Sequence, residues 1–528
     1  MNRYITTPLY YVNATPHLGH FYTTMLADTL KRHHGQRGDT VFFLTGTDEH
    51  GQKVSDMAKK QGLDERTFVD SIATQFRSTW DACDLQYDRF YRTTEPGHVR
   101  AVQQALQTLK DKGEIVFREY EGLYDVGSER FVKESELTPD GLIAETLTKP
   151  EYRKESNYFF LMSRYRDRLI EYFEKNPDSI RPDQYRGEML SFLKNNELED
   201  LCISRPKDRL SWGIELPFDK NYVTYVWFDA LLNYLVATGW PGAEGTGPGQ
   251  FNRAQWESVT HFMAKDIVKT HSIYWGAMLM ALGVAPAKHL AVHGYWLMGN
   301  HKMSKTIGNV VRPLEIKERF GIENFRFYLL REMSFGMDSS FGIESFIQSS
   351  NAYLANGIGN LVSRVVTLCT KNFKGSFPQE SMLDSDRALL QKRESTVKSW
   401  DEAFTELKFQ NALKAWSELV TATDLYINDN KPWALAKDPA LSDRLQVVLG
   451  VALNTIQTLG VLAYPVLPRA SLEICRTLGI PHDEKSGPAI AQATLLRDHF
   501  SLNGEVPKLF ARLELPKDDA GEETKKKK

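Results

Sequence analysis

The first third of the chain alternates two kinds of apolar pattern, and that rhythm narrows the fold more than any other feature. "YITTPLYYV" and "DTVFFLTGTD" read as buried strands, while "GHFYTTMLADTLKRHHG" and the segment from His50 to Gly62 read as helices that stop at glycine. Strand, helix, strand, helix in succession calls for a parallel sheet, because a parallel neighbour needs a crossover connection and a helix is the usual one. The expected class is therefore α/β, with a Rossmann-like parallel sheet whose ligands gather at the carboxyl ends of its strands.

From about Gly122 the rhythm breaks into short polar pieces, "GLYDVGSERFVKESELTPDG", which read as an insertion in the sheet domain. Strand signals return at "YVTYVWFDA", "HFMAKDI" and "KHLAVHGYW". From Glu344 to about Ala470 the pattern is long amphipathic helix, which predicts a separate all-α bundle. The expected boundaries are 1–117 and 211–298 for the two halves of the sheet domain, with a connective insertion at 118–210. A lysine-bearing loop region follows at 299–345, then the helical domain at 346–510 and a charged tail at 511–528.

Two short stretches carry chemistry. In "ATPHLGHFYTT", Ala14 to Thr24, His17 and His20 flank Gly19 at a strand-to-helix corner. A helix opening at Gly19 would offer backbone amides and partial positive charge to a phosphate, with both imidazoles facing it. The plain alternative is that two histidines cap a turn and pack. Composition puts the chance of an HxGH match at about 0.02, so the stretch is informative but not sufficient alone. In "GNHKMSKTIGN", Gly299 to Asn309, Lys302 and Lys305 stand on a glycine-flanked stretch after an expected strand. Lysines there can close on a triphosphate as point charges without fixed geometry. Taken alone, the stretch also admits the reading of an exposed basic loop, though as the lesser of the two.

HLGH and KMSKT together resemble the two signatures of class I aminoacyl-tRNA synthetases. "GTDEHGQKV", "FYRTTEPGH", "YVWFDALLNYL", "AKDIVKTHSIYW" and "DNKPWALAK" are similar to the methionyl-tRNA synthetase family, in the family's order, from Tyr4 to about Pro468. That resemblance implies ATP-dependent activation of L-methionine to methionyl-adenylate, followed by transfer of the methionyl group to the 3′ end of tRNA(Met). It implies His17, His20, Lys302 and Lys305 as the catalytic groups, with Gly19 and Gly294 flanking the adenosine. It assigns Asp48 to the substrate ammonium and Arg205 to its carboxylate. The thioether pocket would be Leu9, Tyr11, Trp227, Ala230, Tyr234, Ile267, His271 and Trp275, a polarizable and aromatic setting suited to sulfur. Mg2+ is implied with the ATP, with no protein ligand for it evident. Asn360 and Arg364, spaced i,i+4 on one helix face, match the positions that read the CAU anticodon, and Trp433 matches the tryptophan on which a base stacks. Without the resemblance, Trp433 reads as a helix-packing residue after a proline.

The chain departs from the family at three points. Many relatives carry cysteine knuckles in the insertion, whereas here "YDVGSERF" places Asp125 and Ser128 where cysteines would stand, Ala264 replaces a glycine and Thr306 a serine. Between Gly122 and Tyr158 there is neither cysteine nor histidine, so no zinc is expected and Asp125, Ser128 and Glu129 read as surface or turn residues. Leu123, Tyr124, Phe131, Leu142, Ile143 and Tyr152 are the candidates for a small insertion core. The rivals are class I synthetases for leucine, isoleucine, valine or cysteine, which need a bulky editing domain or a zinc-gripped thiol, and a catalytically silent tRNA-binding protein on the same scaffold.

Composition sets the remaining expectations. With 65 basic against 68 acidic side chains, net −3, no global field draws the chain to nucleic acid or membrane, so any polyanion is held locally. Cys83, Cys202, Cys369 and Cys475 lie far apart with no ligand spacing, which fits a reducing cytoplasm. Neither an uninterrupted apolar run long enough to span a membrane nor a basic-then-apolar leader is read, and a cytoplasmic monomer is expected.

Overall fold

In a computed structural model, the described residues are 1–13, 15–125, 130–144, 146–299, 301–302 and 310–515. A six-stranded parallel sheet forms the centre. Its strands are β1 (Asn2–Tyr11), β2 (Thr40–Asp48), β3 (Arg89–Arg92), β7 (Ile180–Arg181), β12 (Val259–Ala264) and β13 (His289–His293), numbered among all strands in chain order. They lie in the order β3-β2-β1-β12-β13-β7. From β1 the chain builds outward to β2 and β3 on one side, and from β12 to β13 on the other. The order thus reverses between β1 and β12, and a crevice opens there at the strands' carboxyl ends.

The insertion is less simple than expected. β4 (Ile115–Asp125), β5 (Arg130–Val132), β6 (Glu151–Phe160) and β8 (Leu201–Cys202) make an antiparallel sheet in the order β5-β4-β6-β8. Between β6 and β8, however, β7 returns to pair parallel with β13 through Leu290↔Ile180 and Ala291↔Arg181. The segment 118–210 is therefore not one contiguous insertion, because two residues in its middle complete the main sheet. So short a strand carries no periodic signal. β9 (Ser204–Pro206), β10 (Glu215–Leu216) and β11 (Asp219–Thr224) form a small antiparallel sheet. "YVTYVWFDA" is accordingly half strand and half helix, since β11 ends at Thr224 and a helix runs Val226–Leu231. Its apolar residues fit either period, and the turn at Tyr225 decides.

After β14 (Trp296–Met298), β15 (His301–Lys302) and β16 (Ser339–Phe341), the chain is helical to Leu478. The bundle is not separate. Its apolar core, with Trp400, Trp416, Val447 and Leu459, is continuous with that under α1 (Leu18–Gln36). The stretch Pro439–Ala463 is long and apolar enough to cross a membrane, contrary to the reading from uninterrupted runs, yet its apolar part, from Leu445 to Ala463, is buried inside the protein. Its polar residues explain both facts: the side-chain nitrogens of Asn454 and Gln457 donate to the carbonyls of Arg497 and Gln492, as a core helix can.

Candidate active site

A cavity of about 790 Å3 occupies the crevice where the strand order reverses. Strand ends supply much of its wall: Leu9, Tyr10 and Tyr11 from β1, Asp48 from β2, Ala264 from β12, and His293 with Gly294 from β13. Of the residues singled out in the sequence, Leu9, Tyr11, His17, Gly19, His20, Asp48, Trp227, Ala230, Tyr234, Ile267, His271 and Gly294 line it together.

α1 begins at Leu18 rather than Gly19, with His17 as its N-cap. The Nδ1 of His17 accepts the Gly19 N–H at 3.0 Å, so in the neutral ring the proton sits on Nε2. The rings of His17 and His20 stack at 3.7 Å. A Cβ on Gly19 would come to 3.0 Å from His17 Cε1, so the glycine makes room for the ring that caps its own helix. No acidic side chain stands in the first turn, which leaves the positive end of the helix dipole uncancelled. Tyr10 braces this corner from β1: its hydroxyl donates to the His20 carbonyl at 3.1 Å and meets Thr24 Oγ1 at 2.7 Å.

The aromatic end of the cavity is set by one tautomer. His271 lies on a single wide turn, Thr270–Tyr274, of the kind that collects at functional sites. Burial pushes its imidazole down to about 4, so it is neutral near pH 7. The Ile267 carbonyl, 2.9 Å from Nδ1, can only accept, so Nδ1 carries the hydrogen and Nε2 accepts the Tyr234 hydroxyl at 2.9 Å. The Tyr234 proton is thereby committed, and a side chain entering the pocket meets neutral rings. The Tyr234 ring rests against His261 at 4.3 Å, and its carbonyl accepts the Tyr4 hydroxyl at 2.8 Å.

At the opposite end, burial likewise pushes His293 down to about 4. Its Nδ1 donates to the Gly294 carbonyl at 2.7 Å, and Nε2 accepts from Thr23 of α1 at 2.7 Å. A Cβ at Gly294 would stand 2.1 Å from the Met337 carbonyl oxygen, so only glycine fits. Asp266, Lys269 and Tyr295 complete this wall. The sequence reading missed them, together with Lys53, Thr146 and Tyr225. The available signal was position, because Asp266 and Tyr295 each lie two residues beyond the end of a central strand.

Three of the resembling stretches meet behind the cavity. Asp229 of "WFDA", fully buried, joins His50 Nδ1 of "TDEHG" and His98 Nε2 of "TEPGH", each at 2.6 Å. Burial opposes the charge on Asp229, but the two histidines hold its carboxyl below the usual range. This knot fixes the helix bearing Trp227 and Ala230 against the end of β2 bearing Asp48.

Two expected residues, Arg205 and Trp275, are not brought to the wall. The Arg205 guanidinium is buried over the Tyr124 and Tyr225 rings, 5.6 and 4.9 Å away, and donates to the Ser204 carbonyl at 2.7 Å. It stands one layer behind Tyr225 instead of in the cavity. Trp275 is buried edge-on to Trp256 and lies behind Tyr234. Of the lysine loop, only the backbone of Lys302 is described, in β15 opposite Leu297 of β14, and Lys305 lies outside the described residues. The loop's exit is nonetheless tied to the histidine corner, since the Leu18 N–H donates to the Val311 carbonyl at 2.9 Å.

In the helical domain, Asn360 is exposed, and Arg364 bridges to Asp424 at 2.8 Å and Asn428 at 3.2 Å. Trp433 is 43% exposed, against a packing role. In the insertion, Asp125 is fully buried, against the surface reading, and takes the hydrogen-bonding alternative, accepting the hydroxyls of Thr148 and Thr146 at 3.1 and 3.2 Å. Tyr124 and Ile143 are buried, Leu123 and Leu142 half-buried, but Tyr152 is 68% exposed and leaves the expected core. Its place on a solvent-facing strand position overrides its apolar ring. Ser128, Glu129 and the Phe131 side chain lie outside the described set. Among the described residues, no group of three or more His, Cys, Asp or Glu could hold a metal ion.

Comparison with known proteins follows this geometry. The family model described as "tRNA synthetases class I (M)" matches residues 3–145 and 135–366, and that for the anticodon binding domain of methionyl tRNA ligase matches 378–519. A methionine–tRNA ligase of Caldanaerobacter subterraneus subsp. tengcongensis is 38% identical over 523 residues, covering 99% of this chain and 80% of the relative. That of Bacillus subtilis is 37% identical over 524 residues, covering 97% and 78%. Mycobacterium tuberculosis methionyl-tRNA synthetase in complex with methionyl-adenylate superposes with a TM-score of 0.91 at 33% identity, over 97% of this chain and 100% of that one. Its apo form gives 0.85 at 31% identity, over 98% and 99%.

Proposed function

The chain belongs to the methionyl-tRNA synthetase family of class I, as a methionine–tRNA ligase, and from that premise we propose how its residues divide the reaction. The enzyme activates methionine with ATP to methionyl-adenylate and passes the methionyl group to tRNA. The silent-scaffold alternative finds no support in these relatives.

A methionine carboxylate oxygen attacks the α-phosphorus, the bond to the bridging oxygen breaks, and pyrophosphate leaves with that electron pair. No protein nucleophile is required. The work is alignment and stabilisation of charge on the phosphates. His17 and His20, stacked at the amide-rich start of α1, meet the phosphates from one side, and Lys302 and Lys305 close from the other. The Leu18–Val311 backbone bond supports that convergence. Gly19 and Gly294 let adenosine approach the backbone. Asp48 holds the methionine ammonium, and the side chain enters between Leu9, Tyr11, Trp227, Ala230, Tyr234, Ile267 and His271. Arg205 and Trp275 act from one layer behind, Arg205 lending positive charge across Tyr225 and Trp275 supporting Tyr234.

Magnesium on the triphosphate would supply further charge neutralisation. Asn360, Arg364 and Trp433 read the anticodon of tRNA(Met). A zinc-free insertion and a cytoplasmic monomer complete the reading, and four unpaired cysteines agree with a reducing compartment. The observation that carries the whole is the single cavity joining the histidine-capped helix start, Asp48 and the neutral aromatic pocket. Methionine-dependent exchange of pyrophosphate into ATP tests it: exchange with methionine and not with leucine or isoleucine is expected, and equal exchange with all three refutes the pocket.

A further inference from the structure

Trp433 presents a physical problem. It follows a helix end and carries a large apolar ring that is 43% exposed. Something other than packing must set its direction. The helix Phe409–Asn430 stops at Asn430, and Lys431 then takes a left-handed conformation, φ 45°, which a side chain disfavours. A new turn, Pro432–Leu435, bears the tryptophan.

The corner is tied by a closed ring of hydrogen bonds among four residues from three helices, its last link running through a main-chain carbonyl. Asp386, fully buried near the start of Asp384–Thr405, accepts both Arg444 terminal nitrogens and the Tyr426 hydroxyl, the last at 2.6 Å. Arg444, from Ser442–Ala463, also donates to the Asn430 side-chain oxygen. The Asn430 amide in turn donates to the Tyr426 carbonyl at 2.9 Å, closing the ring. Asp386 Oδ2 also accepts the Leu383 N–H at 2.8 Å, which leaves its carboxylate saturated. Burial opposes the charge, yet the Arg444 guanidinium and the tyrosine hydrogen bond hold the carboxyl below its usual range. A bidentate arginine–carboxylate pair fixes direction as well as distance. Asn430 is the link between that fixed pair and the residue after which the chain bends.

We propose that the Asp386–Arg444–Asn430–Tyr426 ring is a positioning device for anticodon recognition, holding Trp433 out as a preformed platform for an unpaired base. Holding the ring in place before RNA arrives removes an ordering cost from binding. The proposal rests on the reading of Trp433 as the stacking residue.

The test uses full-length protein and two assays on each preparation, methionine-dependent pyrophosphate exchange without RNA and aminoacylation of tRNA(Met). Asn430→Ala removes the link and leaves the Asp386–Arg444 pair in place. It is expected to keep exchange within about twofold of wild type and to lower aminoacylation kcat/KM at least about threefold, but by no more than Trp433→Ala does, chiefly through KM for tRNA. Asn430→Asp, which still accepts from Arg444, should recover most of the loss. The decisive measurement is the double variant: in a Trp433→Ala background, Asn430→Ala should cost nothing more, because the platform it positions is gone. Full additivity, unchanged charging, or a parallel fall in exchange would overturn the proposal and leave the ring as bundle support. If Trp433→Ala alone charges tRNA normally, the underlying reading of Trp433 has failed, and the positioning role falls with it.

Discussion

His20 is half-buried, stacked on His17 and braced by Tyr10, yet it lines the cavity where phosphates would lie. His20→Ala should slow adenylate formation by about 10²- to 10³-fold, the cost of losing one preorganised donor. Methionine affinity, measured by equilibrium binding, should stay nearly constant, since the contact develops only as phosphate charge redistributes. A matching fall in affinity would place His20 in the methionine pocket instead. For selectivity, the committed Tyr234 proton predicts that norleucine is activated poorly but detectably, about 10- to 200-fold below methionine in kcat/KM, because shape and polarizability do the sorting. Two of the buried imidazoles make a pH prediction. His271 and His293 fall to about 4 when folded from an ordinary 6.5, so between these values the unfolded chain binds more protons than the folded one. Stability should therefore be complete above pH 6.5 and fall as pH drops toward 4, by at most about 1.4 kcal/mol per unit for each ring. Urea melts of wild type and of His293→Gln across that window should show a shallower slope in the variant.

Elements, more than single residues, explain the insertion. Structural zinc needs several soft or imidazole ligands converging on one point, and here the end of β4 carries instead a buried carboxylate gripped by two threonine hydroxyls of a turn that reaches the cavity at Thr146. Protein purified without a metal-binding tag should hold no stoichiometric zinc, and chelation followed by magnesium should restore full activity. One tightly bound equivalent would refute this. Asp125→Ala should then do what chelation does not: loosen the turn, raise protease sensitivity near 143–148, and lower exchange. β7 is a different case of element logic. Two residues are too few to announce a strand, and they become one only because β13 offers an unpaired edge beside them.

At the scale of the molecule, α1 is the member common to both functions. Its first turn opens on the cavity, while Asp28 and Arg32, both buried, face the bundle side. Asp28 takes Arg32 at 2.9 Å and Arg326 at 2.7 Å, and Arg326 also donates to the Pro465 carbonyl at 2.8 Å. Asp28→Asn would leave two buried guanidinium groups short of a counter-charge and should destabilise the whole protein by about 3–5 kcal/mol, read by denaturant melts as one transition and not two. Division of labour is nonetheless preserved at the far end. Trp433→Ala should weaken aminoacylation by roughly 5- to 150-fold, the worth of one base stack, and spare exchange. A parallel loss of both would make Trp433 part of the shared core.

What the residues alone determined were matters of local chemistry: the parallel sheet from its alternating periods, the helix start at the corner of His17, Gly19 and His20, the helical second half, and the family itself from its run of resembling stretches. Each is legible because it depends on neighbours within a turn or a strand. What only the tertiary structure decided depends on partners far apart in sequence. Arg205 is drawn behind Tyr225 by rings on β4 and the helix entry, and Trp275 is buried by Trp256. Asp125 is buried by threonines twenty residues later, and β7 is recruited by an edge formed from the other end of the domain. The apolar stretch ending at Ala463 becomes a core helix only because the bundle closes around it. Burial and tautomer, which make His271 a neutral acceptor and not a cation, belong to the folded packing and to nothing written in "KTHSIYW".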